Sequence, residues 1–168
     1  MNVGITAEDN RSELSAGSTV TLEITAYGSE GQGIARHNGM AVFVPGAICG
    51  ETVEAEIKKA APSFAEAKLQ KILRPSAERV IPPCPHYAEC GGCDILHMSY
   101  AEQLRMKRET VRSAMERIGG FRGIEILPCI GADKPEHYRN KAVFQFANAE
   151  KTNKKNLRQV LSGYYEQK

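Results

Sequence analysis

The chain has 168 residues, of which 25% are charged and 42% hydrophobic, with a net charge of +2 and a pI near 8.3. These values are ordinary for a globular protein and allow one domain or two small ones. No apolar run approaches the roughly 20 residues of a membrane helix, and residues 1–15 lack the apolar segment of a secretory signal. We therefore expect a cytoplasmic monomer without a membrane partner.

The polar composition of residues 1–14 predicts a disordered tail, and five short β-strands are predicted after it. Apolar and polar residues alternate in most of these segments, and glycine turns or the Asn38-Gly39 hairpin signal separate them. The strands are expected at residues 19–27, 34–37, 40–44, 52–59 and 64–72. Five short strands in this arrangement predict a small closed or nearly closed β-barrel.

Barrels of this size often bind nucleic acid on one face, and basic side chains on the predicted strands could form such a face. The basic residues are Arg36, Lys58, Lys59, Lys68, Lys71 and Arg74. Acidic residues are interleaved with them, at Glu51, Glu54, Glu56 and Glu66. A plain solvated surface on a structural barrel therefore stays open as the alternative.

After a linker at residues 75–83, one helix is predicted from a capping box at Ser99 and Glu102 to the Gly119-Gly120 pair. Its apolar face is expected to carry Leu104, Val111, Met115 and Ile118. Its exposed side is expected to carry Arg105, Lys107, Arg108, Arg112 and Arg117, which could face phosphates or only solvent.

The remaining segments predict strands, which makes the second part of the chain a small α+β region. The apolar stretch 121–129 is interpreted as a short strand. Residues 138–146 and 157–165 predict a hairpin around a polar loop.

Three of the five cysteines fall within ten residues, in the pattern Cys84-x₅-Cys90-x₂-Cys93, followed by His97. In a reducing compartment such a cluster predicts metal ligands rather than disulfides. The four residues form a complete Cys₃His set for zinc, whereas three cysteines with a distant fourth are typical of an iron–sulfur cluster. The spacing leaves both open. The isolated Cys49 and Cys129 are expected to be small buried hydrophobic residues.

Several motifs in this order resemble one known family, the uracil-5-methyltransferases of 23S ribosomal RNA. They are Gly31-Gln-Gly33-Ile-Ala-Arg36, Val42-Phe-Val-Pro-Gly46, Gly50-Glu51, the Cys84–His97 loop and Tyr138-Arg-Asn-Lys141. The resemblance implies an OB-like, RNA-binding TRAM barrel at residues 15–74 and a central α+β domain with a 4Fe–4S cluster at residues 75–168. Cys84, Cys90 and Cys93 then become three cluster ligands, and His97 a structural neighbour.

The resemblance also implies what this chain does not contain. The family's fourth cluster cysteine and its methyltransferase domain, with the S-adenosylmethionine site and catalytic residues, lie beyond the position of Lys168. We therefore expect an N-terminal fragment that binds 23S ribosomal RNA but is inactive alone, with a labile or absent cluster. Arg36, Lys58, Arg139 and Lys141 are the predicted RNA contacts. The alternative is a zinc-binding RNA adaptor with Cys₃His ligation and no enzymatic activity.

Overall fold

The computed structural model describes residues 14–90, 92–138, 145–148 and 160–163, the last two ranges and residues 89 and 90 by their backbone only. Contacts divide the chain into two compact units. The first ends at Ser76, and the second starts at Ala77 and also includes residues 29–31. No helix within the described ranges is long and apolar enough to cross a membrane.

The first unit is a closed β-barrel of five strands. They are β1 (Thr19–Tyr27), β2 (Gly33–His37), β3 (Met40–Val44), β4 (Thr52–Ala60) and β5 (Phe64–Arg74). Around the barrel the order is β1-β2-β3-β5-β4, with only the β3–β5 pair parallel. The predicted mainly β fold with a five-stranded, OB-like barrel is confirmed.

The barrel core is built by every second residue of each strand, because successive side chains point to opposite faces of a sheet. Leucine, isoleucine and valine side chains from β1, β3 and β4 fill the interior together with small alanine side chains. Gly33 allows a close approach here, since a Cβ at this position would lie 2.8 Å from Ile24 Cγ2 and 2.9 Å from the Ala47 carbonyl oxygen. Burial of this apolar surface is the main stabilising term for the unit.

The turn between β3 and β4 is organised by Glu51, whose side chain is 0% exposed. Its carboxylate accepts hydrogen bonds from the backbone N–H groups of Ile48 at 2.9 Å and Ser76 at 3.3 Å. Its backbone carbonyl accepts from the N–H of Ile24 at 2.9 Å. One buried acid therefore joins the turn to β1 and to Ser76, the last residue of the first unit.

The second unit contains a short helix α1 (Tyr87–Cys90), a long helix α2 (Tyr100–Arg117) and the antiparallel strands β6 (Gln145–Asn148) and β7 (Val160–Gly163). The predicted hairpin is confirmed for these two strands. Tyr138, its first predicted residue, is irregular, and the remaining residues lie outside the described ranges. Helix α2 begins as predicted, with the Ser99 hydroxyl accepting from the Glu102 N–H at 3.2 Å. The Glu102 carboxylate, however, forms a double hydrogen bond with Arg105.

The predicted apolar face of α2 is wrong in part. Val111 is 51% exposed and Ile118 88% exposed, whereas Met106 and the carboxylate-bearing Glu102 are buried. The buried face of α2 is the one that carries Glu102 and Met106, four residues apart.

Residues 121–129 are irregular within the described part of the chain, so the predicted strand is wrong. The Ile126 carbonyl instead accepts from Arg108 Nε at 2.7 Å, and Arg108 is therefore half-buried rather than fully exposed. Cys49 and Cys129 are also half-buried rather than buried, because they lie in a turn and in this irregular segment.

Candidate functional site

Backbone hydrogen bonds form at both ends of the cysteine loop, residues 84–97. The Cys84 carbonyl accepts from the Tyr87 N–H at 3.2 Å, which starts α1. At the other end the His97 carbonyl accepts from the Val80 N–H at 3.0 Å, next to a backbone bridge between Arg79 and Met98. The chain before the loop thus pairs with the chain after it.

A tyrosine–histidine contact closes the interior of the loop. Tyr87 Oη lies 2.5 Å from His97 Nδ1 and donates to the Asp94 carbonyl at 3.0 Å. His97 is only 3% exposed, and burial raises the pKa of the Tyr87 hydroxyl above its ordinary value. This packing gives His97 a structural contact within the loop.

The thiols of the loop lie at different depths. Cys84 is half-buried and Cys93 is exposed, and the Cys90 side chain is not among those described. The four cysteines whose side chains are described are free thiols. Among the described side chains no three histidine, cysteine or acidic groups form a metal-binding cluster. The Cys84–Cys90–Cys93 ligand set and the Cys₃His alternative both stay predictions.

Replacing Tyr87 with phenylalanine is expected to lower the free energy of unfolding of the second unit by about 1–2 kcal/mol, because a partly buried hydrogen-bonded hydroxyl is removed. Because the pKa of Tyr87 is raised in the folded state, folding favours the neutral phenol. The stability that this hydroxyl contributes is therefore fully present below the unfolded pKa of about 10. It is lost as the pH rises through the higher pKa of the folded state. Urea unfolding at about pH 8 and pH 11 measures it. An equal difference between variant and wild type at both pH values would contradict the assignment.

A cleft of about 560 Å³ adjoins the loop within the second unit. Cys93 and Asp94 line one side, and Lys107, Lys134 and His137 supply basic groups. The segment after α2 reaches the cleft because the Ala132 N–H donates to the Tyr100 hydroxyl at 2.7 Å. Sequence patterns placed Lys134 only in a turn at Gly131–Pro135 and did not single out His137. The cleft could not be predicted, since the contact between Ala132 and Tyr100 spans 32 residues.

The predicted RNA contacts on the barrel are both at its surface. Arg36 on β2 is exposed, and its Nη1 donates to the Gly39 carbonyl of the β2–β3 turn at 3.0 Å. Lys58 on β4 pairs with Glu56 at 2.7 Å, and this hydrogen bond lowers the pKa of the Glu56 carboxyl. The other two predicted contacts, Arg139 and Lys141, lie outside the described residues.

The β4–β5 face is not a simple basic surface, because acidic residues stand directly opposite the lysines. The opposed pairs are Glu54 with Lys71, Glu56 with Lys68, and Glu66 with Lys59. Opposite charges at such positions stabilise a sheet slightly and offset each other's field. The positive charges expected to form a basic face on β4 and β5 are therefore largely balanced by the opposing glutamates.

Comparisons with known proteins identify the barrel. The family model of the TRAM domain matches residues 13–70. A protein of Clostridium tetani named as an uncharacterized RNA methyltransferase is 48% identical over 124 residues, covering 74% of this chain and 27% of the relative. One of Bacillus cereus with the same name is 38% identical over 162 residues, covering 95% of this chain and 34% of the relative.

Two solved structures are also similar, with TM-scores below 0.5. One is the solution structure of a conserved protein of Methanococcus maripaludis, 33% identical, with a TM-score of 0.33, covering 41% of this chain and 97% of that one. The other is a Pyrococcus abyssi tRNA (uracil-54, C5)-methyltransferase in complex with S-adenosyl-L-homocysteine, 25% identical, with a TM-score of 0.42, covering 60% of this chain and 21% of that one.

The barrel and its match define a TRAM-containing protein. Over most of its length the chain is also similar to many proteins named as RNA methyltransferases, which confirms the resemblance at that level. It spans about a third of the length of these relatives.

Proposed function

We propose that this chain is the RNA-binding N-terminal part of an S-adenosylmethionine-dependent methyltransferase that modifies carbon 5 of uridine in 23S ribosomal RNA. The observation that supports this most directly is the TRAM match, within an alignment that covers 95% of the chain with a relative named as an RNA methyltransferase. We infer a monomer that acts in the cytoplasm.

The contribution of these residues to the reaction is recognition. S-adenosylmethionine supplies the methyl group, and no residue of this chain is assigned to binding it. The barrel binds RNA through Arg36 and neighbouring surface groups, which contact phosphates without reading sequence. The second unit adds basic groups beside its cleft at Lys107, Lys134 and His137. Together they position folded RNA for chemistry at a base that is taken out of the stack.

The cysteine loop is proposed to bind a 4Fe–4S cluster through Cys84, Cys90 and Cys93. The donor chemistry fits, because thiolates are the common ligands of such clusters and three of them occur within ten residues. The Tyr87 hydroxyl contacts His97 at Nδ1, an arrangement that also orients metal-binding histidines, so the assignment of His97 as a structural neighbour rests on the family resemblance. A structural role for the cluster follows, since methyl transfer from a sulfonium involves no net electron transfer.

RNA binding is tested by fluorescence anisotropy of the 168-residue chain with labelled hairpins of 23S ribosomal RNA. We expect affinity to fall steeply with salt, because each neutralised phosphate releases counterions. Arg36→Ala should weaken binding and reduce the magnitude of the logarithmic salt slope by about 1. The absence of binding even at low salt would refute the proposed recognition role.

The substrate is tested in the full-length protein. Incubation with labelled S-adenosylmethionine and either 23S ribosomal RNA or transfer RNA lacking the modification should label only the ribosomal RNA, and mass spectrometry should find 5-methyluridine. Labelling of transfer RNA alone would refute the proposed substrate but leave the family assignment intact.

A further inference from the structure

The outer surface of β2, β3 and β5 carries an apolar patch that the barrel core does not use. Residues in alternate positions of these strands point outward and are half-buried, whereas their neighbours at Ala35, Val42 and Ala65 are buried. We call this patch the phenylalanine face. Its members are Ile34, Ala41, Phe43 and Phe64.

The strand register places these side chains in two adjacent rows. Ile34 is opposite Phe43, and Ala41 is opposite Phe64. The two phenylalanine rings are therefore diagonal neighbours, with centroids 6.0 Å apart and planes at 80°. This edge-to-face contact orients both rings while each side chain stays half-buried, so part of each phenylalanine is at the protein surface.

Cationic groups border the phenylalanine face. Lys59 Nζ lies 5.9 Å from the centroid of the Phe64 ring, and exposed Arg36 stands opposite Ala41 in the same row as Phe64. The exposed Glu66 stands opposite Lys59 and partly offsets its charge. Arg36, whose Nη1 donates to the Gly39 carbonyl, adds a second positive charge in the row that contains Phe64.

We propose that the phenylalanine face stacks the bases of unpaired RNA, with Arg36 contacting the adjoining phosphate. The proposal rests on the proposed RNA binding and names the form of RNA that the barrel prefers. Aromatic side chains stack on any base, but only where that base is not already stacked inside a duplex. A cation beside the rings fits a polyanion with exposed bases better than it fits an apolar protein segment, which would leave that charge without a counterpart.

The preference is tested by comparing two probes with the 168-residue chain, a fluorescein-labelled 12-nucleotide oligouridine and the same strand paired with oligoadenosine. Phe43→Leu and Phe64→Leu preserve apolar volume but remove the aromatic surface. Each is expected to weaken binding of the single strand by about 5- to 100-fold and to change duplex binding little. The salt slope should stay unchanged in both variants, whereas Arg36→Ala should reduce it by about 1.

Three further variants separate stacking from loss of fold. Phe43→Tyr and Phe64→Tyr retain the ring and should restore affinity to within a few-fold of wild type. Leu73→Ala removes an exposed apolar side chain of β5 outside the face and should bind like wild type. Circular dichroism and melting temperature report whether each variant is folded.

The outcomes distinguish this proposal from the RNA-binding role on which it rests. If folded leucine variants bind the single strand as tightly as wild type, the stacking proposal is refuted and RNA binding stands. A duplex bound as tightly as the single strand by the wild-type chain also refutes the proposal. If neither probe nor a ribosomal RNA hairpin binds, both proposals fail together.

Discussion

Replacing Glu51 with alanine is expected to lower the free energy of unfolding of the barrel by about 2–4 kcal/mol. The carboxylate is fully buried and accepts from two backbone N–H groups, at Ile48 and Ser76. Removing it leaves both donors without this acceptor, and a buried donor that loses its acceptor costs about 1–3 kcal/mol. The turn before β4 and the end of the barrel should loosen together, because one side chain joins them.

Urea unfolding followed by circular dichroism measures this loss from the shift in midpoint. Glu51→Gln keeps one carbonyl acceptor but places an amide donor towards a backbone N–H. We therefore expect its free energy of unfolding to lie between those of the wild type and Glu51→Ala. Glu23→Ala is the matched control, since Glu23 is an exposed acid on β1 in a surface ion pair with Arg74. That control should change the free energy by about 0.5 kcal/mol or less. Equal midpoints for Glu51→Ala and Glu23→Ala would contradict the assigned role.

The barrel could be predicted from the sequence because its signals are local. Alternation of apolar and polar residues marks β1 and β4, and the Asn38-Gly39 turn fixes the hairpin between β2 and β3. The predicted strand ends agree with the observed ones to within two residues. Glu51 could not be predicted as a buried residue, because its acceptor role depends on Ser76, which is 25 residues away.

The second unit shows where local patterns fail. Ser99 correctly predicted the start of α2, since a capping hydroxyl acts on a backbone N–H three residues away. The buried face of the same helix depends on what packs against it. Spacing alone favoured Val111 and Ile118, yet both are exposed, while Met106 is buried.

The candidate RNA surface could not be predicted from the sequence for a related reason. The run Met40–Val44 is apolar throughout, so its sequence does not distinguish core from surface side chains, whereas in a barrel only alternate residues enter the core. Phe43 is therefore at the surface, where register brings it beside Phe64. Register also explains why the lysines of β4 and β5 do not form a basic face, since each opposing glutamate is identified only once the strands are paired.

Replacing Cys93 with serine in the full-length protein is expected to abolish cluster binding. A thiolate is the common ligand of iron–sulfur clusters, and a serine hydroxyl is a harder donor that stays protonated near neutral pH. Cys93 is exposed, so this substitution should change the stability of the metal-free chain by no more than about 0.5 kcal/mol. Loss of metal would then report ligation rather than unfolding, a distinction that the half-buried Cys84 does not allow.

The measurement is anaerobic purification followed by visible absorption and metal analysis. The wild-type protein should be brown and contain iron, and the Cys93→Ser variant should be colourless with little iron. Cys49→Ser and Cys129→Ser are matched controls, because these half-buried cysteines lie outside the loop and should leave absorption and iron content unchanged.

The same preparation distinguishes iron–sulfur from zinc. A colourless wild-type protein with stoichiometric zinc, which both Cys93→Ser and His97→Asn lose, would refute the cluster and establish Cys₃His ligation. In a cluster protein His97→Asn should instead retain iron when freshly purified, because the proposed cluster ligands in this chain are the three loop cysteines and not His97. It should lose iron faster on exposure to air, since the Tyr87–His97 contact that closes the loop is removed.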